Sequence, residues 1–246
     1  EFMANQSIKD EKFLTKVILP LYQVEPTKSL LVDGLIKGLQ GGVIDFSELN
    51  TYQLWENDLT QLSKILKQLQ TLTIGDKTGL RVLFAENGAE NLVLAVDSQT
   101  LTNLVESMLL AKSTQKLANQ LLSLATNSIN SLLNGTNLSI DLSKVQDLGL
   151  QANQVAQVVG SFVDVYKDYK DKTSAGESVK LENLDLTNVG NMLDVMKENA
   201  YTDGGVFGET FNAMTGYLQE KFPSVVQPGE DGTYKDVSFK DILQGL

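Results

Sequence analysis

Apolar residues recur every three or four positions in the stretch LWENDLTQLSKILKQLQTL, between Leu54 and Leu72. The stripe consists of Trp55, Leu59, Leu62, Leu66 and Leu69. Charged side chains lie off this stripe, which is the pattern of an amphipathic helix with one buried face. The only tryptophan of the chain opens the stripe, and large aromatic side chains bury the most surface. The pattern therefore predicts a helix that forms the spine of a helical core.

The same helical spacing returns along most of the chain, and all four prolines lie near its two ends. Because proline is the strongest helix breaker, the long interval without proline favours helices. We predict an all-α fold, a multi-helix bundle or helical array of about nine helices. Besides Leu54–Leu72 and residues 79–96, the predicted helical segments are Ile8–Leu19, Thr27–Leu39, a helix that starts at Asp45, Ser98–Leu133, Leu150–Tyr169, Leu186–Met196, Phe207–Phe222 and a last helix from Ser238.

Residues 79–96 fit two different structures. The segments GLRVLFAE and AENLVLAV flank Asn87-Gly88, a pair that is typical of tight β-hairpin turns. The other structure is a helix that ends at Asn87-Gly88, followed by a second helix that starts at Ala89. Alanine, leucine and glutamate dominate this segment, so two helices are favoured over a small hairpin.

Two stretches with similar sequences resemble helix starts. In Ile44–Leu49, Asp45 and Glu48 can form a capping box, and the apolar residues at the two ends can form a hydrophobic staple. Val237–Ile242 has the same arrangement. The pair indicates either a repeating module or convergence on favourable capping residues. Convergence is favoured, because such short stretches do not define a repeat.

Residues 136–149 are polar and indicate a connection between two groups of helices. We therefore expect an N-terminal helical bundle over residues 1–135 and a C-terminal helical bundle over residues 136–246. The alternative is that both groups pack as one domain.

The composition removes several classes of function. The chain has 31 acidic and 20 basic side chains, and its net charge of −11 repels phosphate backbones, so nucleic acid is not an expected partner. The chain contains neither cysteine nor histidine, which excludes thiolate nucleophiles, Ser-His-Asp triads and histidine metal sites. No apolar run approaches the roughly 20 residues of a membrane-spanning helix, so we predict no transmembrane segment in this chain.

Two motifs match known functional signatures incompletely. The string DKTG at residues 76–79 matches the beginning of the phosphorylation signature of P-type ATPases, in which the aspartate is the nucleophile. Leu80 replaces the second threonine of that signature, so a polar turn between helices is favoured. The acidic turn at residues 230–236 lacks the alternating aspartates of a calcium loop, so calcium is not favoured there.

Asp194 and Glu198 lie one helical turn apart and suggest a shared metal ion or a solvated face beside Lys197. The solvated face is favoured, because a single carboxylate pair is common on exposed helices. We therefore predict no catalytic residue, no metal site and no cofactor, and we do not expect an enzyme.

An apolar stripe on the helices between Leu186 and Phe222 is the predicted contact face. We expect it to meet a protein partner or neighbouring modules of the same chain. It combines methionines and phenylalanines, which serve as adaptable or large anchors at interfaces. The candidate contact residues are Met192, Met196, Phe207, Phe211 and Met214.

Three helical stretches carry a resemblance to known proteins: WENDLTQLSKIL from Trp55, VGNMLDVMKENA from Val189 and FNAMTGYL from Phe211. Together they resemble the helical modules of very large surface or membrane-associated proteins of low-GC bacteria, such as mollicutes and their relatives. The resemblance implies a non-catalytic building block and assigns no functional residues. A cell-surface or extracellular location is favoured over the cytoplasm.

The favoured function is a non-enzymatic helical structural or protein-interaction module of a larger bacterial surface or membrane-associated protein. One alternative is a secreted, toxin-like membrane-active protein whose amphipathic helices rearrange, with Val155–Val165 and Leu101–Leu110 as candidates. Another is a small-ligand binder. The tyrosines that could line a ligand groove are Tyr166, Tyr169, Tyr201, Tyr217 and Tyr234.

Overall fold

The computed structural model of the protein describes residues 37–70, 72–78, 80–83, 87–133, 151–201 and 207–246. Besides the helical residues 37–40, this part of the chain contains nine α-helices and one two-stranded hairpin, which confirms the predicted all-α fold. The helices are α1 Tyr52–Leu69, α2 Leu80–Leu83, α3 Gly88–Ala95, α4 Ser98–Leu110, α5 Gln115–Leu132, α6 Ala152–Ser174, α7 Leu186–Ala200, α8 Gly208–Lys221 and α9 Phe239–Leu243. The strands are β1 Thr73–Ile74 and β2 Lys77–Thr78, and two short 3-10 helices cover Lys112–Thr114 and Leu181–Asn183.

Helix α1 confirms the prediction made from the leucine stripe. Thr51 precedes it in an extended conformation, and its hydroxyl accepts a hydrogen bond from the backbone N–H of Leu54 at 3.3 Å. This is a regular N-cap, which satisfies one of the free N–H groups of the first turn. The buried residues of the helix are Trp55, Asp58, Leu59, Gln61, Leu62, Ile65 and Leu69.

The predicted helix start at Ile44–Leu49 is wrong. The Asp45 carboxylate accepts from the backbone N–H of Ser47 at 2.8 Å and stabilises a turn, and the helix begins only at Tyr52. The backbone N–H of Asp45 donates to the carbonyl of Ser113 at 2.9 Å, so a contact distant in sequence holds this segment in a non-helical path. The similar stretch near the C-terminus does begin a helix, α9, with Ser238 as N-cap.

The long predicted helix Ser98–Leu133 is divided in two. Ala111 leaves the helical conformation, with φ −97° and ψ 118°, and a 3-10 turn separates α4 from α5. The predicted helix Ile8–Leu19 lies outside the described residues. So does Thr27–Leu39, apart from residues 37–39, which are helical.

Residues 80–83 and 88–95 are helical, which agrees with the favoured interpretation of that segment. A hairpin does exist, but it lies just before the segment. Strands β1 and β2 pair antiparallel, with Thr73 opposite Thr78 and Ile74 opposite Lys77. Gly75 has a φ of +60° in the two-residue loop between them. The DKTG string is therefore not a plain turn between helices, because its aspartate lies in this loop and the next two residues form β2.

The chain divides into two compact units. Unit 1 comprises Glu1–Val96 and Asn103–Gln120, and unit 2 comprises Asp97–Thr102 and Leu121–Leu246. The expected boundary between residues 135 and 136 lies outside the described residues.

Helix α7 is the central helix of unit 2, because it packs against α6, α8 and α9. Two glycines allow close approach within this unit. A Cβ atom on Gly160 of α6 would lie 1.9 Å from the hydroxyl oxygen of Thr102, and a Cβ on Gly190 of α7 would lie 2.7 Å from the backbone of Lys240. Both helices therefore contact their neighbours at a position where only glycine fits.

Candidate functional site

The predicted contact residues do not form an exposed face. All five side chains are at most 1% exposed: Met192, Met196, Phe207, Phe211 and Met214. The reason is that α7 packs against three helices of unit 2, and this packing uses the apolar stripe internally. The prediction of an exposed stripe between Leu186 and Phe222 is therefore corrected.

Phe211 lies at the centre of an aromatic cluster. Its ring makes edge-to-face contacts with Tyr201, Tyr234 and Phe239, at centroid distances of 5.8, 6.2 and 5.6 Å. Such geometry aligns the positive edge of one ring with the negative face of the next. The backbone N–H of Tyr234 also donates to the hydroxyl of Tyr201 at 3.0 Å, so the cluster joins α8 to the segment that precedes α9.

Asp194 of α7 holds the start of α9. Its two carboxylate oxygens accept from the backbone N–H groups of Phe239 and Lys240, at 2.9 and 3.0 Å. Lys197, one turn along α7, lies 3.1 Å from the same carboxylate and donates to the carbonyl of Val237. We call this arrangement of a helix carboxylate, a neighbouring lysine and a bound backbone segment a carboxylate clamp.

The clamp corrects the favoured interpretation of Asp194 as part of a solvated face. Only 24% of its side chain is exposed, and both oxygens accept hydrogen bonds from the backbone. The N–H groups of the first helical turn have no partner within their own helix, and a negative charge there also interacts favourably with the helix dipole. The carboxylate therefore stabilises a helix start.

A second carboxylate clamp joins α6 to the start of α7. Asp168 accepts from the backbone N–H of Asp185 at 2.6 Å. Lys172 lies 3.3 Å from that carboxylate and donates to the carbonyl of Asn183. In both clamps, the carbonyl that accepts from the lysine lies two residues before a backbone N–H that donates to the aspartate.

Asp58 of α1 plays the same role in unit 1, without the lysine. It is fully buried, and its oxygens accept from the backbone N–H groups of Lys112 and Ser113 at 2.8 and 2.9 Å. The neighbouring Asn57 donates from its side chain to the carbonyl of Leu110 at 2.9 Å. These bonds fix the connection between α4 and α5, and they explain why the predicted long helix is interrupted there.

Glu182, Tyr217 and Lys221 form a half-buried polar group beside α8. The Tyr217 hydroxyl donates to the Glu182 carboxylate, and the Lys221 ammonium lies 3.7 Å from that carboxylate and 5.4 Å from the tyrosine ring. Burial raises the pKa of Glu182, but the Tyr217 hydrogen bond and the lysine charges outweigh it, so the net pKa is lowered. Burial, together with the bond to Glu182, raises the pKa of Tyr217 above its ordinary value.

The tyrosines proposed for a ligand groove fall into different groups. The rings of Tyr166 and Tyr169 on α6 meet in a tilted arrangement at a centroid distance of 6.2 Å, whereas Tyr201 and Tyr234 belong to the cluster around Phe211. Tyr217 is bound to Glu182. The five tyrosines therefore belong to three separate groups of contacts and do not line one groove.

The remaining acidic motifs are also engaged locally. Asp76, in the hairpin loop, has a side chain that is 89% exposed, and it pairs with Lys77 at 3.3 Å. Asp231 in the acidic turn accepts from the backbone N–H and the hydroxyl of Thr233 at 2.9 and 2.8 Å. Among the described residues, no group of three acidic side chains is placed to hold a metal ion.

Sequence reasoning did not find the carboxylate clamps. The signal along the chain is an aspartate followed three or four positions later by lysine on a predicted helix, which also describes an ordinary exposed ion pair. The partner segment lies 17 residues away from Asp168 and 45 or 46 residues away from Asp194. A single sequence gives no means of matching segments over such distances.

No described helix combines the length and the apolar character needed to cross a membrane. Comparison of the chain with protein-family models, with curated proteins and with solved structures finds no match.

Proposed function

We propose that the chain is a non-enzymatic helical module with a structural or protein-interaction role, part of a larger bacterial surface or membrane-associated protein. The observation that carries the proposal is the use of Asp58, Asp168 and Asp194. Each carboxylate accepts hydrogen bonds from backbone N–H groups at or near the start of another helix.

This use of carboxylates matters because the composition leaves few other catalytic groups. With no histidine and no cysteine, acid–base or nucleophilic chemistry would depend on carboxylates, lysine or tyrosine. Asp168 and Asp194 each have a nearby lysine that is itself bound to a backbone carbonyl. Groups held in this way stabilise the positions of helices, which supports a role that depends on shape.

Chemical cross-linking in the cells that produce the protein tests the proposal. Exposed lysines such as Lys64 on α1 and Lys235 in unit 2 supply the reactive amines. We expect reproducible cross-links from a restricted set of these lysines to one other protein or to another segment of the same parent chain. Cross-links that stay within single copies of this chain, or that spread evenly over unrelated proteins, would argue against an interaction module.

A free copy of the chain added to lysed cells before cross-linking is the matched control. It carries the same lysines in the same fold, so it reveals contacts that depend only on lysine reactivity. Cross-links that are found in intact cells and are absent from this control identify neighbours that depend on the native location.

The membrane-active alternative gains no specific support. Most apolar residues of its two candidate segments are buried, including Val159, Phe162 and Val163 in α6 and Leu104 and Met108 in α4. Insertion into lipid would require both helices to leave their present positions.

A further inference from the structure

The start of α9 rests on a groove that is built from α7 and α8. We define the docking groove by Gly190, Asp194 and Lys197 of α7 and by Phe211 of α8, and the docked segment as residues 237–243. Positions 190, 194 and 197 are one helical turn apart and lie on one face of α7. Helix α9 has a larger contact with α7 than with any other described element.

The groove recognises the backbone of the docked segment as well as its side chains. Asp194 binds two N–H groups, and Lys197 binds the carbonyl of Val237. The absence of a side chain at Gly190 lets the Lys240 backbone lie directly on α7. The groove therefore selects a segment that presents two free N–H groups just after an exposed carbonyl, which is the geometry of a capped helix start.

Phe239 supplies the apolar anchor of the docked segment. Its side chain is fully buried, and its ring meets Phe211 edge to face at 5.6 Å and Tyr234 at 5.4 Å. Leu243, one turn further along α9, is also buried. The segment thus carries buried aromatic and aliphatic anchors together with a defined hydrogen-bond pattern, as peptides bound in helix grooves do.

Two features separate the docked segment from the rest of unit 2. Helix α9 has five residues, and isolated helices of that length are not stable in water, so its structure depends on the groove. Residues 222–238, which connect it to α8, contain no helix or strand. Detachment of the segment breaks the contacts of Phe239 and Leu243 with the groove and leaves the packing of α6 against α7 in place.

We propose that the docking groove also binds this segment in trans, when a second copy of the protein supplies it. A second copy carries the identical segment, so the groove is complementary to it by construction. When two copies exchange this segment, each contact that it makes within one copy is replaced by the same contact between the copies, as in domain swapping between protomers. The inference names a partner for the interaction module proposed above and therefore rests on that function.

A labelled peptide that stands for the segment of a second copy tests the proposal. The peptide has the sequence YKDVSFKDILQGL, residues 234–246, and its binding to the full chain is followed by fluorescence anisotropy. In the unaltered chain the groove is occupied by its own segment, which lowers the apparent affinity by the fraction of molecules that are open. The full-chain variant Phe239→Ala removes the internal anchor, and we expect it to bind the peptide at least about tenfold more tightly.

A second variant covers the case in which Phe239→Ala does not fold. Lys240→Pro changes an exposed residue and removes an N–H group that Asp194 binds, while the groove itself keeps all its side chains. We expect it to bind the peptide more tightly than the unaltered chain. Circular dichroism of both variants shows whether the helical content is retained.

Two further changes test recognition by the groove. A peptide in which alanine replaces the phenylalanine should lose at least about tenfold in affinity, because the buried anchor is missing. Adding Asp194→Asn to the Phe239→Ala chain should weaken peptide binding, whereas adding Asp168→Asn should leave it unchanged, because Asp168 holds a different helix start.

The proposal is overturned if neither variant binds the peptide more tightly than the unaltered chain, or if the alanine peptide binds as well as the native one. That result concerns only the groove on α7 and α8. The cross-linking experiment tests the broader function, so the two failures are distinguishable.

Discussion

Gly190 of α7 lies directly against the backbone of α9. A Cβ atom there would lie 2.7 Å from the Cα and N atoms of Lys240 and from the carbonyl oxygen of Phe239, all of which are backbone atoms. We expect Gly190→Ala to lower the free energy of unfolding by about 1–3 kcal/mol, the usual range for overpacking, because a backbone shift also weakens the Asp194 bonds. Urea unfolding followed by circular dichroism measures the change.

Gly216 provides a matched control for that substitution. It also lies inside a helix, α8, but nothing stands within 4 Å of the position its Cβ would take. Gly216→Ala should therefore stabilise the protein by about 0.5–1 kcal/mol through helix propensity alone. If both substitutions shifted stability in the same direction, the close contact at Gly190 would not be the cause.

Asp58 has the most completely buried carboxylate among the three helix-holding aspartates. Asp58→Asn keeps the shape but places an NH2 group where one oxygen now accepts from a backbone N–H. One donor is then left without an acceptor, so we expect a loss of about 1–3 kcal/mol in unfolding free energy. Asp76→Asn at the exposed hairpin loop is the control, and it should leave the urea midpoint unchanged. Equal effects of the two would contradict the assigned role of Asp58.

The first turn of helix α4 is stabilised by Asp97, which directly precedes the helix. Its carboxylate accepts from the backbone N–H of Thr100 at 2.7 Å. Hydrogen bonds from Thr100, backbone first and then side chain, hold the pKa of Asp97 below its ordinary value of 3.8. Because the pKa is lower in the folded state, the stabilisation is complete well above pH 4 and is lost as the pH falls through the folded-state pKa.

Asp97→Asn tests this pH dependence, because asparagine is also a good helix cap but does not titrate. The difference in unfolding free energy between the unaltered chain and the variant should be largest near pH 7 and should shrink towards pH 3. Asp164→Asn in the middle of α6 is the control, since that residue is not at a helix N-terminus. A difference that stays constant between pH 7 and pH 3 would rule out the titration of Asp97 as its source.

Helices with a long regular stripe could be predicted from the sequence, and those shaped by distant contacts could not. Helix α1 follows from its leucine spacing, because its buried face is continuous over five turns. The turn at Asp45 has a favourable capping sequence. The backbone N–H of Asp45 nevertheless donates a hydrogen bond to the carbonyl of Ser113, and no helix forms there. The hairpin at residues 73–78 has strands of two residues each, which is too short to produce an alternating pattern.

The predicted contact site failed for a related reason. An amphipathic pattern identifies which side chains lie together on a helix, but it does not state whether another helix covers them. Met192 and Phe211 are residue types that serve as interface anchors, but the packing of the helices of unit 2 buries both side chains. The docking of α9, which covers Phe211 with Phe239, depends on a segment more than 20 residues away along the chain.

In the molecule as a whole, the acidic side chains have one effect at long range, through the net charge, and another at short range, through hydrogen bonds. The net charge of −11 favours solubility and disfavours anionic partners at long range. At short range, the carboxylates of Asp58, Asp168 and Asp194 accept backbone N–H groups and hold helix starts in place. Removing net charge at the exposed surface should therefore affect association more than folding, whereas changes at the clamps should affect folding first.

The membrane-active alternative requires the intact chain to release dye from lipid vesicles, and the buried helix faces argue against such release. The apolar residues of Val155–Val165 and Leu101–Leu110 that would enter lipid are buried, including Val155, Val163 and Leu109. We therefore expect no dye release from zwitterionic vesicles at pH 7, since uncovering these faces would expose a large apolar area to water. Anionic vesicles should be inert as well, because the net charge opposes binding. Detergent sets the full-release signal. Gly190→Ala, which loosens α9 and adds only one methyl group, is the control for partial unfolding. Dose-dependent release by the unaltered chain, with no greater release by the variant, would favour the toxin-like function over the structural module.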